Sequence, residues 1–283
     1  MNRQGRVLVV DDLERWREQL VETLQRNGFY ADSASKVTQV LERLDETFYH
    51  LLLLDVRLVD ADPSNQEGID LLDELDKRGL SDAIKIMILS AYGTKEQMRI
   101  AFAKHKVVDF LSKDNFTKQL FLESVQQVFS EEVKINLALE IIWQQAAGSE
   151  QVVLNLEVNG TRVKRDTPLQ KRMAAELDDL LCRLFNQAKS VLVQPLVPGQ
   201  SGTGVLRAQP FYITGGGRAV IVKFGAVDKI EEEHHNFKKF IQPFVGGGRN
   251  TTVLDLSRTA HLGGIIYSLL GVSNDQLEDL GSF

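Results

Sequence analysis

Residues 6–12 read Arg-Val-Leu-Val-Val-Asp-Asp (RVLVVDD), a continuous apolar run that stops on two adjacent carboxylates. An unbroken run rich in β-branched residues predicts a strand buried on both faces, which is the situation in a parallel sheet covered by helices. Comparable runs follow at Phe29–Ala31, more weakly, and at Leu51–Leu54, Ile84–Leu89 and Val107–Leu111. Between them lie amphipathic stretches at Leu13–Asn27, Ser35–Leu44, Glu67–Lys77, Thr94–Ala103 and from Asn115 onward. In the first of these, Leu13, Trp16, Leu20, Val21 and Leu24 recur at helical spacing and define one buried face. The order is (βα)₅, an α/β fold with a five-stranded parallel, doubly wound sheet. The stripe Phe116, Leu120, Val125, Val128, Phe129 and Val133 predicts a last helix that either covers the sheet or continues into a connector or dimer contact.

Beyond residue 130 the punctuation changes. Of the 21 glycines, 14 lie between Gly199 and Gly281, and only Pro63 precedes Pro168. Ile135–Trp143 is ambiguous between helix and strand. Val152–Val158 and Thr161–Val163 flank Asn159-Gly160 and read as a hairpin. Leu169–Ala188 predicts a long helix whose acids, Glu176, Asp178 and Asp179, face solvent. Strands are expected at Val191–Leu196, Gly204–Ile213, Arg218–Phe224, Thr251–Leu256 and Gly264–Leu270, with one helix at Lys229–Ile241. This sets three segments: 1–130, a helical and hairpin connector at 131–189, and an α+β domain at 190–283.

The chain has 283 residues, 33 Lys+Arg against 39 Asp+Glu and a net formal charge of −6. That balance disfavours a nucleic-acid partner, and no basic recognition helix of a transcription factor is visible. Apolar stretches are too short to span a membrane and the amino terminus lacks the pattern of a secretory signal, so a cytoplasmic location is expected. The single cysteine, Cys182, excludes an internal disulfide framework and reads as helix packing.

Open α/β sheets gather chemistry at the carboxyl ends of their strands. Asp11 and Asp12 end the first strand, Asp55 the third and Ser90 the fourth, and Lys113 follows the fifth. Three carboxylates in one pocket repel one another and lose hydration, so they need a cation. Hard oxygen donors suit Mg²⁺ or Mn²⁺. With the metal in place, a carboxylate can attack phosphorus to give an acyl phosphate. Asp55, central in the sheet, is the expected nucleophile, with Ser90 and Lys113 on the phosphoryl oxygens.

These motifs, RVLVVDD, LLLLDVRL, MILSAYG and DFLSK, closely resemble those of bacterial response-regulator receiver domains over residues 6–130. The resemblance implies a flavodoxin-like fold, metal binding by Asp11, Asp12, Asp55 and the Arg57 carbonyl, and Phe110 as an aromatic switch coupled to Ser90. It also implies a histidine kinase as phosphodonor, self-phosphorylation and later dephosphorylation. Two features depart from the family: Asp114 stands where proline usually follows the lysine, and the loop 57–66, with Asp60 and Asp62, is long.

In the second half, LVPGQSGTGVL places Gly199, Ser201, Gly202, Thr203 and Gly204 between two strands, where glycines let backbone approach a phosphate. Lys223 sits within a strand and needs an acidic partner from the following helix, with Glu231, Glu232 and Glu233 available. Residues 190–283 resemble the small lobe of a protein kinase or aminoglycoside-phosphotransferase-like kinase. Gly199, Gly202 and Gly204 match its glycine loop, Lys223 its phosphate-directed lysine and Glu233 the ion-pair partner. No catalytic-loop or metal-binding aspartate motif follows, so autonomous kinase activity is not expected, and ATP binding is left open. An apolar surface is expected near Ile265, Ile266, Tyr267 and Leu269. His234 and His235 adjoin in sequence but face different sides of a helix, which argues against a shared metal.

The sequence therefore reads as a two-component response regulator that accepts phosphate on Asp55 and modulates a kinase-lobe-like effector or interaction module. A histidine kinase, a second copy or a downstream signalling protein are its expected partners. The alternatives are a phosphorylation-independent scaffold or dimerisation protein, or a fragment of a larger kinase-like signalling or conflict protein.

Overall fold

Arg6–Val10 forms β1, with every residue from Val7 to Val10 buried. The structure, a computed structural model, describes residues 3–58, 67–91, 103–144, 148–196, 202–242 and 252–268. Contacts divide the chain into two compact units, Met1–Leu137 and Ala138–Phe283. Among the described residues, no helix is long and apolar enough to cross a membrane.

In the first unit β1 pairs in parallel with β2 (Tyr30–Ala34) and β3 (Leu51–Leu54), and the sheet continues through β4 (Lys85–Ser90) to β5 (Val107–Ser112). The order β2-β1-β3-β4-β5 is that of a five-stranded flavodoxin-like sheet. Its helices are α1 (Glu14–Arg26), α2 (Val37–Glu46), α3 (Glu67–Lys77) and α4 (Lys118–Val128). The predicted helix at Thr94–Ala103 lies almost wholly outside the described residues, which resume in a helical turn at 103–105.

Alternation of strand side chains creates two apolar faces. Val7, Val9, Leu51, Leu53, Met87 and Leu89 pack with Leu20 and Leu24 of α1 and Phe121, Val125 and Val128 of α4. Each such buried side chain contributes about 1.5–3 kcal/mol. Val133 joins the same cluster, because a π-helical turn at Phe129–Val133 follows α4 and ends on Lys134 in the left-handed region. Apart from Leu120, which is exposed, the stripe therefore covers its own sheet and does not run on as a connector helix.

The second unit begins with β6 (Glu140–Trp143), which resolves the ambiguous stretch as a strand parallel to β9 (Ser190–Pro195). A small hairpin, β7 (Glu157–Val158) and β8 (Thr161–Arg162), turns on Asn159 and Gly160, both at positive φ. It is shorter than expected, because Ser149–Val152 is helical. Helix α5 (Pro168–Leu184) opens with Pro168 at its first turn, and the Thr167 hydroxyl accepts the Gln170 N–H at 3.2 Å.

The remaining elements are β10 (Gly204–Tyr212), β11 (Gly215–Gly216), β12 (Val220–Ala226), α6 (Val227–Asn236), a π-helical turn at Phe237–Ile241, β13 (Val253–Arg258) and β14 (Leu262–Ser268). The main sheet runs β13-β14-β12-β10-β9-β6. Adjacent glycines in β14 let two helices close on opposite faces of one strand. A Cβ on Gly264 would meet Leu180 of α5 at 2.9 Å, and one on Gly263 would meet Ile230 of α6 at 2.9 Å. This double cover corrects the expected apolar surface: Ile265 and Ile266 are buried, while Leu269 lies outside the described residues.

The acids of α5 also need correcting. Glu176 is fully buried and Asp179 nearly so. Glu176 accepts bonds from the Thr259 hydroxyl at 2.6 Å, the His261 backbone N–H at 2.9 Å and His261 Nδ1 at 2.7 Å. With Nδ1 donating, His261 Nε2 accepts from the Arg172 guanidinium at 2.6 Å. Asp179 pairs with Arg183 at 2.8 Å, and Asp178 accepts the Ser149 hydroxyl. Periodicity missed this because the acids sit on a helix buried nearly all round, where charge is tolerated only when its lone pairs are filled. Cys182 is free and buried on the same helix.

Burial alone would raise the Glu176 carboxyl, but the bonds from His261 and Thr259 outweigh it and hold it below the usual glutamate range. A depressed folded-state pKa stabilises above the unfolded value and is lost as pH falls through the folded one. Glu176→Gln is expected to destabilise the chain at pH 7 by about 3 kcal/mol. In urea titrations the gap from wild type should narrow steadily below the ordinary carboxylate range; a constant gap down to acid pH would show that Glu176 is not ionised in the fold.

Candidate functional site

The carboxyl ends of β1 and β3 lie side by side, because the Asp55 N–H donates to the Val10 carbonyl at 2.8 Å, while the Asp11 N–H donates to the carbonyl of Ala34 on β2, the neighbour on the other side, at 3.2 Å. Asp11, Asp12 and Asp55 each bring a carboxylate oxygen within 4.8 Å of the others. Asp11 and Asp55 are buried and Asp12 is half-buried. From β4, Ser90 Oγ donates to Asp55 Oδ1 at 2.6 Å. Lys113 follows β5 and places its ammonium on Asp55 Oδ2 and, at 2.6 Å, on Asp11 Oδ2.

Electrostatics follow from this crowding. Burial pushes the Asp11 carboxyl above the usual range, against the opposing pull of Lys113. Burial alone would lower the Lys113 ammonium, but Asp55 and Asp11 outweigh it and hold it above the ordinary lysine value. One ammonium, that of Lys113, serves both Asp11 and Asp55, and the cluster of three carboxylates matches a hard divalent cation. The donor set fits such an ion: all oxygens, held at one strand end.

The supporting residues were not legible in the motif. Arg17, one turn into α1, donates to the backbone carbonyls of Asp11 at 2.8 Å and Asp12 at 2.7 Å, and the Asp11 carboxylate accepts the Leu13 N–H at 3.0 Å. The Trp16 ring lies 5.2 Å from the Lys113 ammonium. Gly68 allows α3 to start against the β3 turn, since a Cβ there would stand 2.3 Å from the Asp55 carbonyl oxygen. The only sequence signal for Arg17 was its place on the first turns of the helix.

Asp114, where the family has proline, uses the N–H that proline lacks: it donates to Ser112 Oγ at 3.3 Å and opens a 3₁₀ turn over Lys113–Asn115. Lys113 reaches Asp55 from that turn. The Arg57 N–H donates to Asp55 Oδ1 at 3.3 Å, and Phe110 is half-buried on β5. Asp60 and Asp62 lie outside the described residues.

In the second unit Lys223 of β12 pairs with Glu233 of α6 at 2.5 Å, and the Tyr267 hydroxyl of β14 donates to the same carboxylate at 2.8 Å. Burial, and then the Glu233 carboxylate, raise the Tyr267 phenol above its ordinary range, so it stays a donor. Gly202 has a positive φ of 70°. Gly204 is explained by packing, because a Cβ would enter the Phe224 ring at 2.2 Å. Gly199 and Ser201 lie outside the described residues. Lys229 pairs with Glu157 at 2.8 Å beside Gly202.

Comparison with known proteins bears on the two units separately. The response regulator receiver domain family matches residues 7–126, and the family described as ternary complex associated domain 9 matches residues 188–283. Response regulator RR06 of Streptococcus pneumoniae serotype 2 is 25% identical over 138 residues, covering 49% of this chain and 57% of that protein. The phosphate regulon transcriptional regulatory protein PhoB of Escherichia coli is 28% identical over 115 residues, covering 41% of this chain and 48% of PhoB. The chain thus spans about half the length of the curated relatives it matches. Among solved structures, the signal receiver domain of an HD domain-containing protein from Pseudomonas fluorescens is similar at 21% identity and a TM-score of 0.40, over 45% of this chain and 96% of that one. Sheet order, site motifs and family match agree, and the chain carries, at residues 7–126, a response regulator receiver domain.

Proposed function

We propose that the chain is a phosphorylation switch in which Asp55 accepts a phosphoryl group from the phosphohistidine of a partner kinase in the cytosol and the second unit carries the response. The observation that carries this reading is the bracketing of Asp55, with Ser90 on one carboxylate oxygen and Lys113 on the other beside two further acids. An Asp55 oxygen attacks phosphorus, the O–P bond forms as the P–N bond breaks, and the electron pair returns to the imidazole, which takes up a proton. A divalent cation such as Mg²⁺, held by Asp11, Asp12, Asp55 and the Arg57 carbonyl, supplies charge neutralisation at the phosphoryl oxygens when bound. Ser90 and Lys113 pass from the carboxylate to the phosphoryl oxygens, and Phe110 packs according to the position of Ser90. Attack by water later breaks the O–P bond and restores Asp55.

The second unit is read as similar to a kinase small lobe. The antiparallel order β9-β10-β12-β14-β13 with α6 between β12 and β13, together with the Lys223–Glu233 pair, supports this. Lys223 is then the phosphate-directed cation, with Gly202 and Gly204 in the glycine-rich segment of the sequence that also holds Gly199 and Ser201. A ligand there is ATP, or the site serves a protein contact.

With Mg²⁺ and a small phosphodonor, intact-mass measurement on the full chain is expected to show one added phosphate, stable to acid and labile to base. D55N should show none, and Lys113→Ala should slow the gain about 10²–10³-fold; no added mass on the wild type would leave a phosphorylation-independent scaffold as the function. Limited proteolysis of the full chain is expected to give different patterns before and after phosphorylation, identical patterns counting against coupling to the second unit. Calorimetry with ATP and Mg²⁺ should give a saturable heat that Lys223→Ala removes, whereas no heat at millimolar ligand would assign the second unit to protein contacts.

A further inference from the structure

We propose that Asp73, Asp76 and His105 form a second cation site on the receiver unit, one that takes a divalent transition ion of the zinc class. Asp73 and Asp76 stand three residues apart on α3 and so share one face of that helix. His105 comes from the helical turn at 103–105 that leads into β5. One ligand atom from each of the three lies within 4.8 Å of the others.

What separates this cluster from an ordinary acidic patch is the imidazole. His105 is only 1% exposed, and its Nε2 is buried with no hydrogen-bond partner among the described residues. A buried polar atom left without a partner keeps the full cost of its lost hydration. Its Nδ1 lies 2.7 Å from Asp76 Oδ2, a contact in which the ring donates and the carboxylate accepts. That tautomer leaves a lone pair on Nε2, which faces Asp73 Oδ1 at 3.8 Å. The gap thus lies between a ring lone pair and a carboxylate oxygen whose counter-ion is a surface ammonium, an arrangement a shared cation would complete.

The spacing suits one. Zinc takes nitrogen and carboxylate oxygen at about 2.0–2.2 Å with tetrahedral angles, so two ligands of one ion stand about 3.4 Å apart. A shift of a few tenths of an ångström in the Asp73 side chain, which is 42% exposed, closes the difference. Asp76 then has the role of the carboxylate that fixes a ligating histidine by its other nitrogen. An imidazole nitrogen selects zinc-class ions over Mg²⁺ or Ca²⁺, unlike the all-oxygen set at Asp55.

The present counter-ion of Asp73 is Lys104, at 2.6 Å. Its side chain is 59% exposed, so its ammonium can leave for water when a divalent ion arrives. The site would tie α3 to the entry of β5.

The test uses the full chain, stripped with chelator and kept in saturating Mg²⁺ so that the Asp55 carboxylates are occupied. Calorimetric titration with Zn²⁺, and with Co²⁺ followed by visible absorption, is expected to show one equivalent that both D73N and His105→Gln weaken at least tenfold. Zn²⁺ should raise the thermal midpoint of the wild type and not that of D73N, whose exposed position keeps the fold intact. No uptake by the wild type overturns the proposal, and so does uptake undiminished in D73N.

Discussion

Crowded negative charge at the carboxyl ends of β1 and β3 is the constraint on which the receiver unit depends. Two unit charges within 4.8 Å repel by about 3–4 kcal/mol at the effective dielectric of a protein site. The backbone bond from the Asp55 N–H to Val10 holds the two strand ends together regardless, and the bond from the Asp11 N–H to Ala34 fixes the end of β1 against β2. The apolar sheet supplies the stiffness, since β1, β3 and β4 are buried on both faces and cannot relax without opening the core. Lys113 is the fixed counter-charge, and the 3₁₀ turn through Asp114 sets where it stands.

The second unit buries charge under a different rule. Glu176 has lost its water entirely, yet Thr259 and the backbone and ring of His261 fill its lone pairs. The network joins α5 to the turn between β13 and β14, just before Gly263 and Gly264 allow helices against both faces of β14. A group satisfied by three fixed donors holds the elements in place and has no reason to exchange partners.

The parallel sheet was legible because unbroken apolar runs of strand length, each followed by an amphipathic stretch, leave few other folds. The strand-end acids were legible for a related reason: topology alone carries Asp11, Asp12, Asp55, Ser90 and Lys113 to one edge. Arg17 and Gly68 were hidden because each acts through backbone atoms, and no residue pattern announces a contact to a carbonyl. The acids of α5 misled because helical period marks the apolar face correctly but cannot show that a second layer of structure covers the polar one. Ile265 and Ile266 misled in the opposite sense, since β14 is covered on its two faces by two different helices, α5 and α6.

Asp55 and Glu233 look alike as bracketed carboxylates, and the difference between them locates the chemistry. Glu233 faces one ammonium and one phenol, with Lys223 balancing its charge in full. Asp55 shares Lys113 with Asp11 and has Asp12 nearby, so one ammonium serves two carboxylates in a cluster of three. A balanced pair offers an incoming cation no net charge to neutralise. An unbalanced cluster gains from each cation it recruits, and once neutralised it accepts an anionic phosphoryl group that it would otherwise repel. The charge deficit that makes the site costly to fold is therefore what makes it respond to a metal and a phosphate together.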